Sequence, residues 1–241
     1  RMSRKLRMGM IGGGKDAFIG AVHRMSAIMD GEIELVCGAF SSDAEKSRIS
    51  GSALYLPNDR VYGSFEEMIL AEKKLPEDIR MDFVSIVTPN HMHFAPARMA
   101  MENGFHVVLD KPVTFTLAEA IQLREVIEKT GMLFCLTHTY TGYPMIRQAK
   151  AMIANGDLGD LRLVNVEYVQ DWLTQEVDNK QADWRTDPAR SGAGGSTGDI
   201  GTHAHQLLRF VTGQEVAQVA AELGCVVPDR TAHDFAGALL R

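Results

Sequence analysis

The residues best suited to chemistry in this sequence are a lysine, an aspartate and a histidine that stand far apart along the chain. Lys111 lies in Asp110-Lys111-Pro112, directly after a short apolar run. Asp199 and His203 are four residues apart, a spacing that places both on one face of a helix. A carboxylate beside an imidazole orients the ring, fixes its tautomer and raises its basicity, as a general base requires. The simpler alternatives are a loop lysine, a helix-capping aspartate and a helix-surface histidine, and for the Asp199–His203 pair the spacing alone favours the simpler one.

A glycine cluster could bind a dinucleotide. Gly12, Gly13 and Gly14 follow one predicted strand and precede one predicted helix. In that context glycines let the backbone approach a pyrophosphate, which rests on the helix N-terminus. The match to G-x-G-x-x-G is incomplete, because Ala17 holds the third glycine position and Gly20 comes later, as if residues had been inserted.

The choice between NAD and NADP stays open at this point. Phe40, Ser41 and Ser42 stand at the tip of the second strand, where an acid would hold the ribose hydroxyls. A serine at position 41 removes a charge that would repel a 2′-phosphate, which leans slightly towards NADP, but no arginine lies immediately beside it.

Two tripeptides follow apolar strand-like runs, namely Thr88-Pro89-Asn90 and Asp110-Lys111-Pro112. Ligands of doubly wound sheets bind at the carboxyl ends of strands, so both tripeptides are predicted to line the cofactor crevice.

Two pairs of histidines and both tryptophans have types and positions that suit either a ligand or a packing role. The pairs His91/His93 and His203/His205 have a zinc-like spacing, but residues two apart on a helix point in different directions, so no metal site is predicted. Trp172 and the Trp184-Arg185 pair flank a long polar stretch, where a substrate wall and simple packing are equally good explanations.

Strand-like and helix-like patterns alternate through the first 137 residues, which predicts an α/β fold with a doubly wound parallel sheet. The predicted strands are 6–11, 33–40, 83–87, 105–109 and 133–136, and the predicted helices are 17–29, 64–72, 93–102 and 116–129. Ser64 with Glu67 and Thr116 with Glu119 predict capping boxes at the starts of two of these helices. A second domain, 138–241, is predicted to contain a helix 144–155, a strand 161–169, a long loop 171–197, a helix 199–210 capped by Asp199 with Gly213 beyond its end, and strands 216–223 and 235–240.

Composition excludes several classes of protein. The net charge of −6 argues against a nucleic-acid-binding surface, and no apolar stretch is long enough to span a membrane. The three cysteines, Cys37, Cys135 and Cys225, are odd in number and widely spaced, which favours a reducing compartment and a cytoplasmic location.

Taken in order, the motifs resemble those of the Gfo/Idh/MocA family of oxidoreductases. The resemblance rests on Gly9-Met-Ile-Gly-Gly-Gly14, Thr88-Pro-Asn-His-Met-His93, Asp110-Lys-Pro112, and Trp184-Arg185 leading to Gly194-Gly195 and Asp199-x-Gly-x-His203. It covers nearly the whole chain, and it implies a Rossmann domain of residues 1–137 followed by an α/β domain with an open, mostly antiparallel sheet.

The resemblance also implies roles for these residues. Lys111 corresponds to the catalytic lysine of the family's E-K-P motif, with Asp110 in place of glutamate, and the bond to Pro112 is often cis in relatives. Asp199 and His203 fall on the family's D-x-x-x-H pair. The glycines, Ser41, the Thr88-Pro89-Asn90 turn, His93, Asp110 and Lys111 would bind NAD or NADP, and Trp172 and Arg185 would contact the substrate.

The implied function is an NAD(P)-dependent dehydrogenase or reductase of a polyol, sugar or cyclitol. A non-catalytic dinucleotide sensor of the same fold and an NAD-dependent glycosidase are the alternatives. The resemblance further implies a homo-oligomer formed through the C-terminal sheet. Because relatives continue with more strands, the chain is expected to stop within its second domain, leaving a sheet edge and an apolar face uncovered.

Overall fold

The computed structural model describes residues 4–15 and 17–241, apart from the side chain of Lys180. The chain divides into two compact units, Arg1–Thr137 and His138–Arg241.

The first unit is built on one parallel sheet with the strand order β2-β1-β3-β4-β5. Its strands are β1 (Leu6–Gly12), β2 (Ile33–Ala39), β3 (Phe83–Val87), β4 (His106–Leu109) and β5 (Phe134–Leu136). Each corresponds to a predicted strand, with bounds that agree within one residue. The strand order reverses between β1 and β3, which is where ligands of doubly wound sheets bind.

Beyond β2, the position of a sixth strand is occupied by a single bridging residue, Val61. Val61 forms an isolated parallel bridge with Gly38 of β2, and the Tyr62 amide donates a hydrogen bond to the Gly38 carbonyl (2.9 Å). With this bridge counted as a strand beside β2, the sheet has the six-position order of a Rossmann fold. The run around Val61 is too short to register as a strand in the sequence pattern.

Five helices cover the two faces of the sheet, namely α1 (Phe18–Ile28), α2 (Ala44–Ala53), α3 (Phe65–Lys74), α4 (Phe94–Glu102) and α5 (Leu117–Thr130). The capping box predicted at Thr116 and Glu119 is present and begins α5. At α3, Ser64 caps the helix as predicted. The Glu67 carboxylate, however, accepts from the Gly63 amide (2.9 Å) and not from the Ser64 amide, so the capping box is incomplete. The helix α2 was not predicted, because its sequence is mostly polar, although Asp43 caps it.

The core of the first unit lies on both sides of the sheet. One cluster packs α3, α4 and α5 against the sheet and includes Met68, Ile86 and Phe105; the other is smaller and includes Met10 and Phe40. Closely fitted apolar side chains on both faces hold the strand ends, and therefore the loops that follow them, in fixed positions.

The second unit is mainly helical. It contains α6 (Pro144–Ala154), α7 (Lys180–Thr186), α8 (Pro188–Ser191) and α9 (Thr202–Thr212), followed by the antiparallel strands β6 (Val219–Gly224) and β7 (Phe235–Leu240). The helix α6 begins at Pro144 and α9 ends at Gly213 with a left-handed backbone, both as the sequence predicts.

Two predictions for the segment between α6 and α9 are wrong. Residues 161–169 form no strand, because no other described strand pairs with them, and a strand is stable only with a ladder partner. Residues 171–197 are not one structureless loop, since the short helices α7 and α8 lie within them. Asn179 and Asp187 cap these two helices through side-chain hydrogen bonds.

The two-stranded sheet is exposed, as expected. Every residue of β6 and β7 except Gly224 is exposed. The register pairs Val219 with Leu240 and Leu223 with Ala236, so these residues share one face. We call this face the apolar sheet face; it consists of Val219, Ala221, Leu223, Ala236, Ala238 and Leu240.

Candidate functional site

The glycine loop after β1 is a turn that only glycine fits. Gly12 and Gly13 have positive φ angles of 81° and 68°, in the left-handed region. A Cβ atom on Gly14 would lie 2.8 Å from the Phe40 carbonyl oxygen and 2.8 Å from Ser50 Oγ. The loop is therefore bare backbone at the carboxyl end of the interior strand β1, shortly before the N-terminus of α1, and it fits a dinucleotide pyrophosphate.

Gly20 supplies the close packing that Ala17 does not. It is buried in α1, and a Cβ atom at this position would lie 2.3 Å from the Cα atom of Gly13. Close contact between helix and strand is the task of the third glycine in the dinucleotide motif. The displaced glycine thus takes the close-packed position that the third motif glycine would occupy.

The tip of β2 carries no acid that could hold a ribose. Phe40 is buried, and Ser41 Oγ accepts a hydrogen bond from the Asp43 amide (3.2 Å). The nearest acid, Asp43, is engaged as the cap of α2, where it accepts from the Lys46 amide (3.0 Å). The hydroxyls at this tip are accessible, since Ser41 is half-buried and Ser42 is exposed.

The Thr88-Pro89-Asn90 turn and the Asp110-Lys111-Pro112 turn lie at the ends of the neighbouring strands β3 and β4, and His93 joins them. Its imidazole is 1% exposed, with Nδ1 2.7 Å from the Pro112 carbonyl oxygen and Nε2 2.9 Å from the Thr88 carbonyl oxygen. Burial lowers the pKa of His93 against the opposing effect of these two carbonyls. His93 therefore lies at the predicted site and contacts both turns through their backbone.

The Lys111–Pro112 bond is cis, as the resemblance implies. The Asp110 carboxylate accepts a hydrogen bond from the Thr137 hydroxyl (3.0 Å) at the end of β5, and it faces His23 of α1. Burial raises the pKa of Asp110, but His23 and Thr137 outweigh it and hold this pKa below its ordinary value. Asp110 is therefore an ionised carboxylate beside Lys111.

In the second unit, Asp199 and His203 lie on either side of a change in helix type. Residues Thr197–Gly201 form a single π-helical turn, and α9 continues it from Thr202. Asp199 is in the first turn and not at the cap, so the predicted capping role is wrong; the helix begins two residues earlier, and Ser196 precedes it. Single π-helical turns occur often at functional sites.

His203 is buried, at 7% exposure, so it is not the surface histidine of the simpler alternative. Its ring makes edge contacts with Tyr140 (centroids 4.8 Å apart) and His138 (5.4 Å), and it lies 6.1 Å from the ring of Tyr168. The two tyrosine hydroxyls are 2.5 Å apart and hydrogen-bonded. No local pattern predicts this aromatic group, because Tyr168 and His203 are remote in sequence from Tyr140.

Asp199 is paired with Arg185. Arg185 Nε donates to the Asp199 carboxylate (2.8 Å), and Arg185 Nη1 donates to the Gln181 side chain (2.8 Å). The guanidinium also lies 4.1 Å from the ring centroid of Trp184 and 5.6 Å from that of Trp172. The structure thus brings three predicted residues, Trp172, Arg185 and Asp199, into one contact group.

The histidine pairs do not form metal sites in the described part of the chain. His91 and His205 are exposed, whereas His93 and His203 are buried, so the members of each pair point apart. Among the described residues, no three His, Cys, Asp or Glu side chains are grouped to hold a metal ion. No helix among them is both long enough and apolar enough to cross a membrane.

Comparison with protein families gives two matches that together cover most of the chain. Residues 6–138 match the family described as "Oxidoreductase family, NAD-binding Rossmann fold". Residues 146–241 match the "GFO/IDH/MocA C-terminal domain". The boundary between the two matches lies next to the boundary between the two compact units.

Individual relatives agree with these matches. An uncharacterized oxidoreductase, YfiI of Bacillus subtilis (strain 168), is 34% identical over 87% of the chain. An oxidoreductase from Sinorhizobium meliloti is 48% identical, with a TM-score of 0.88 over 99% of the chain. An inositol dehydrogenase homolog from Azotobacter vinelandii, solved with NADH and myo-inositol, is 32% identical, with a TM-score of 0.91 over 99% of the chain.

The chain is shorter than these relatives. It spans 54% of the Bacillus protein and 61% of each of the two solved chains.

Proposed function

The chain belongs to the Gfo/Idh/MocA family of oxidoreductases, and from this premise we propose that the whole protein is an NAD(P)-dependent dehydrogenase or reductase of a polyol, sugar or cyclitol. One observation carries this proposal: the glycine loop, the Thr88-Pro89-Asn90 turn and Lys111 follow the carboxyl ends of the neighbouring parallel strands β1, β3 and β4. The substrate class is supported by the relative that was solved with myo-inositol.

The bound dinucleotide would supply the hydride acceptor or donor, and the protein would supply position and proton transfer. In this proposal Gly12, Gly13 and Gly14 bind the pyrophosphate, and Ser41 contacts the ribose. The Thr88-Pro89-Asn90 turn and Asp110 shape the nicotinamide end of the cofactor site, and His93 supports it by joining the two turns.

Lys111 would donate a hydrogen bond to the substrate oxygen and stabilise negative charge that develops there. His203 would accept or return the proton of the substrate hydroxyl, as a buried general acid–base group. Asp199 would orient His203, and its ion pair with Arg185 keeps that carboxylate in place. Trp172 and Arg185 would contact the substrate.

The proposal has a direct test in a full-length protein. Calorimetric titration with NAD, NADH, NADP and NADPH measures cofactor binding, and a turnover screen of polyols, sugars and cyclitols with each cofactor measures activity. We expect binding of at least one cofactor pair and hydride transfer with at least one substrate. Binding without turnover would favour a dinucleotide sensor, and release of free sugar without net cofactor reduction would favour a glycosidase. Absence of binding by a folded sample would contradict all three functions.

We also propose a cytoplasmic location and a homo-oligomer formed through the C-terminal sheet. The location is supported by three cysteines that are all free thiols, and the oligomer by the apolar sheet face.

A further inference from the structure

His23 is a mostly buried imidazole on α1 that the proposed mechanism does not use. Its side chain is 11% exposed, and its two ring nitrogens face two different strands of the sheet. Nδ1 lies 2.9 Å from Ser85 Oγ on β3, and Nε2 lies 3.9 Å from Asp110 Oδ1 at the end of β4. Since Gly20 holds α1 against the glycine loop, His23 is presented to the sheet one helical turn later.

The contact between Nδ1 and Ser85 leaves Nε2 as the ring nitrogen that faces Asp110. The serine is 1% exposed, inside β3, so it is inaccessible as a nucleophile and acts as a hydrogen-bonding partner. When its hydroxyl donates to Nδ1, a neutral imidazole carries its proton on Nε2, on the side of Asp110. The positive edge of the ring then faces the carboxylate.

Asp110 is held from three directions. Its amide donates to the Ile86 carbonyl of β3 (3.0 Å), and its carboxylate accepts from the Thr137 hydroxyl (3.0 Å). His23 supplies the third contact, which at 3.9 Å is electrostatic and longer than a direct hydrogen bond. These contacts fix the rotamer of Asp110, and Lys111 is the next residue along the chain.

We propose that His23 is a positioning residue for Lys111: by holding the Asp110 carboxylate between α1 and the end of β5, it fixes the turn from which the lysine reaches the substrate. The inference rests on the proposed function, because it assigns His23 a role through Lys111. A purely structural role, in which His23 only packs α1 against the sheet, makes different predictions.

Two substitutions separate the roles of the two ring nitrogens. In H23Q the side-chain amide reaches the position of Nε2 and can donate to Asp110, whereas in H23N it reaches only the position of Nδ1, beside Ser85. In the full-length protein we expect H23N to lower kcat about 10-fold or more without changing the KM or Kd of the dinucleotide. We expect H23Q to retain most of the activity, and S26A, an exposed change on the same helix, to behave as wild type.

A spectroscopic measurement tests the inference without any turnover. In protein labelled with ¹³C at lysine Cε, the Lys111 signal is identified by its loss in K111R. We expect a Lys111 signal distinct from those of exposed lysines in wild type and H23Q, and a signal shifted to the exposed-lysine position in H23N.

The outcomes are distinguishable. Equal loss of kcat in H23Q and H23N, or a Lys111 signal that H23N leaves unchanged, would overturn the positioning role. A Lys111 signal at the exposed-lysine position in wild type would do the same. If wild type turns over no substrate, the proposed function fails, and the lysine signal still decides whether His23 orders Lys111.

Discussion

On the scale of single residues, α9 shows how burial separates two histidines that are close in sequence. His203 is buried among the rings of His138, Tyr140 and Tyr168, whereas His205, two residues later, is exposed. A proton-transfer group needs a fixed orientation and a surrounding from which most water is excluded. Only the first of the two histidines has such an environment.

This difference gives a matched test of catalysis in the full-length protein. H203A should lower turnover roughly 10²–10⁴-fold, the effect of removing a positioned general base. H205A removes the same side chain from the exposed side of the same helix and should have little effect. Steady-state kinetics with the best substrate of the screen measures both, and similar rates in the two variants would contradict the role of His203.

Lys111 can be tested in the same way. K111A should lower turnover roughly 10²-fold or more, the effect of losing one donor to a developing oxyanion, while the Kd of the dinucleotide stays near that of wild type. Lys129, exposed at the end of α5, is the matched control. A K111A enzyme as fast as K129A would return Lys111 to the status of an ordinary loop lysine.

On the scale of elements, the proposed cofactor site requires that α1 approach the glycine loop closely. The backbone of Gly20 is helical, so an alanine there causes no conformational strain and would even favour the helix. Any loss of function in G20A must therefore come from the contact with Gly13, where a Cβ atom would lie 2.3 Å from Cα.

We expect G20A to weaken dinucleotide binding about 10-fold or more. The added methyl group would push α1 away from the glycine loop, so that the N–H groups at the start of the helix no longer point at the pyrophosphate. S26A, on the exposed side of α1, should bind as wild type does. Calorimetric titration measures both affinities. Equal affinities would mean that the loop tolerates the displaced helix and that Gly20 is not the equivalent of the third motif glycine.

The start of the sheet is held by an ion pair that gives a pH dependence. Arg4 donates two hydrogen bonds to the Asp82 carboxylate (2.7 Å each), and the Arg7 amide donates a third (2.7 Å). Burial raises the pKa of Asp82, but Arg4 and Arg7 outweigh it and lower this pKa to about 2, from 3.8. Because the folded pKa is depressed, the stabilisation is complete above pH 3.8 and is lost as the pH falls towards 2.

D82N should therefore lower the free energy of unfolding by about 1 kcal/mol at pH 7, since the pair is partly exposed, and the difference from wild type should shrink between pH 4 and pH 2. Urea unfolding followed by circular dichroism measures this difference. D59N, at an exposed position, is the control. A difference that stays constant down to pH 2 would show that the Asp82 contacts do not depend on its charge.

On the scale of the whole molecule, the sheet of the second unit has two strands, β6 and β7, in the part of the chain that the structure describes. Two strands in isolation are marginally stable in water, and the apolar sheet face is exposed. A second copy of the protein would cover this face in the proposed homo-oligomer.

The two faces of this sheet allow a matched test in the full-length protein. Leu223 lies on the apolar sheet face, and Ala220 lies on the opposite face of the same strand. L223K should reduce the oligomer to a smaller species, because burying a lysine in an apolar interface is costly, whereas A220K adds the same charge elsewhere and should leave assembly intact. Light scattering after size-exclusion chromatography measures both masses; equal masses would place the interface away from this face.

The sequence by itself determined the parallel sheet of the first unit, the caps of α3 and α5 and the positions of the chemical motifs. The Thr116–Glu119 capping box and the strand Phe83–Val87 could be predicted because each depends on residues within a few positions of one another. The family motifs could be recognised for the same reason, since each is a short run of residues.

The tertiary structure alone decided which distant residues meet. Residues 161–169 alternate like a strand, yet they form none, because a strand also needs a partner that the local pattern does not specify. The contacts of His23 with Ser85, of Arg185 with Asp199, and of His203 with the tyrosines join residues from separate elements. Such pairings depend on how helices pack and how strands are ordered, and short-range periodicity contains no information about either.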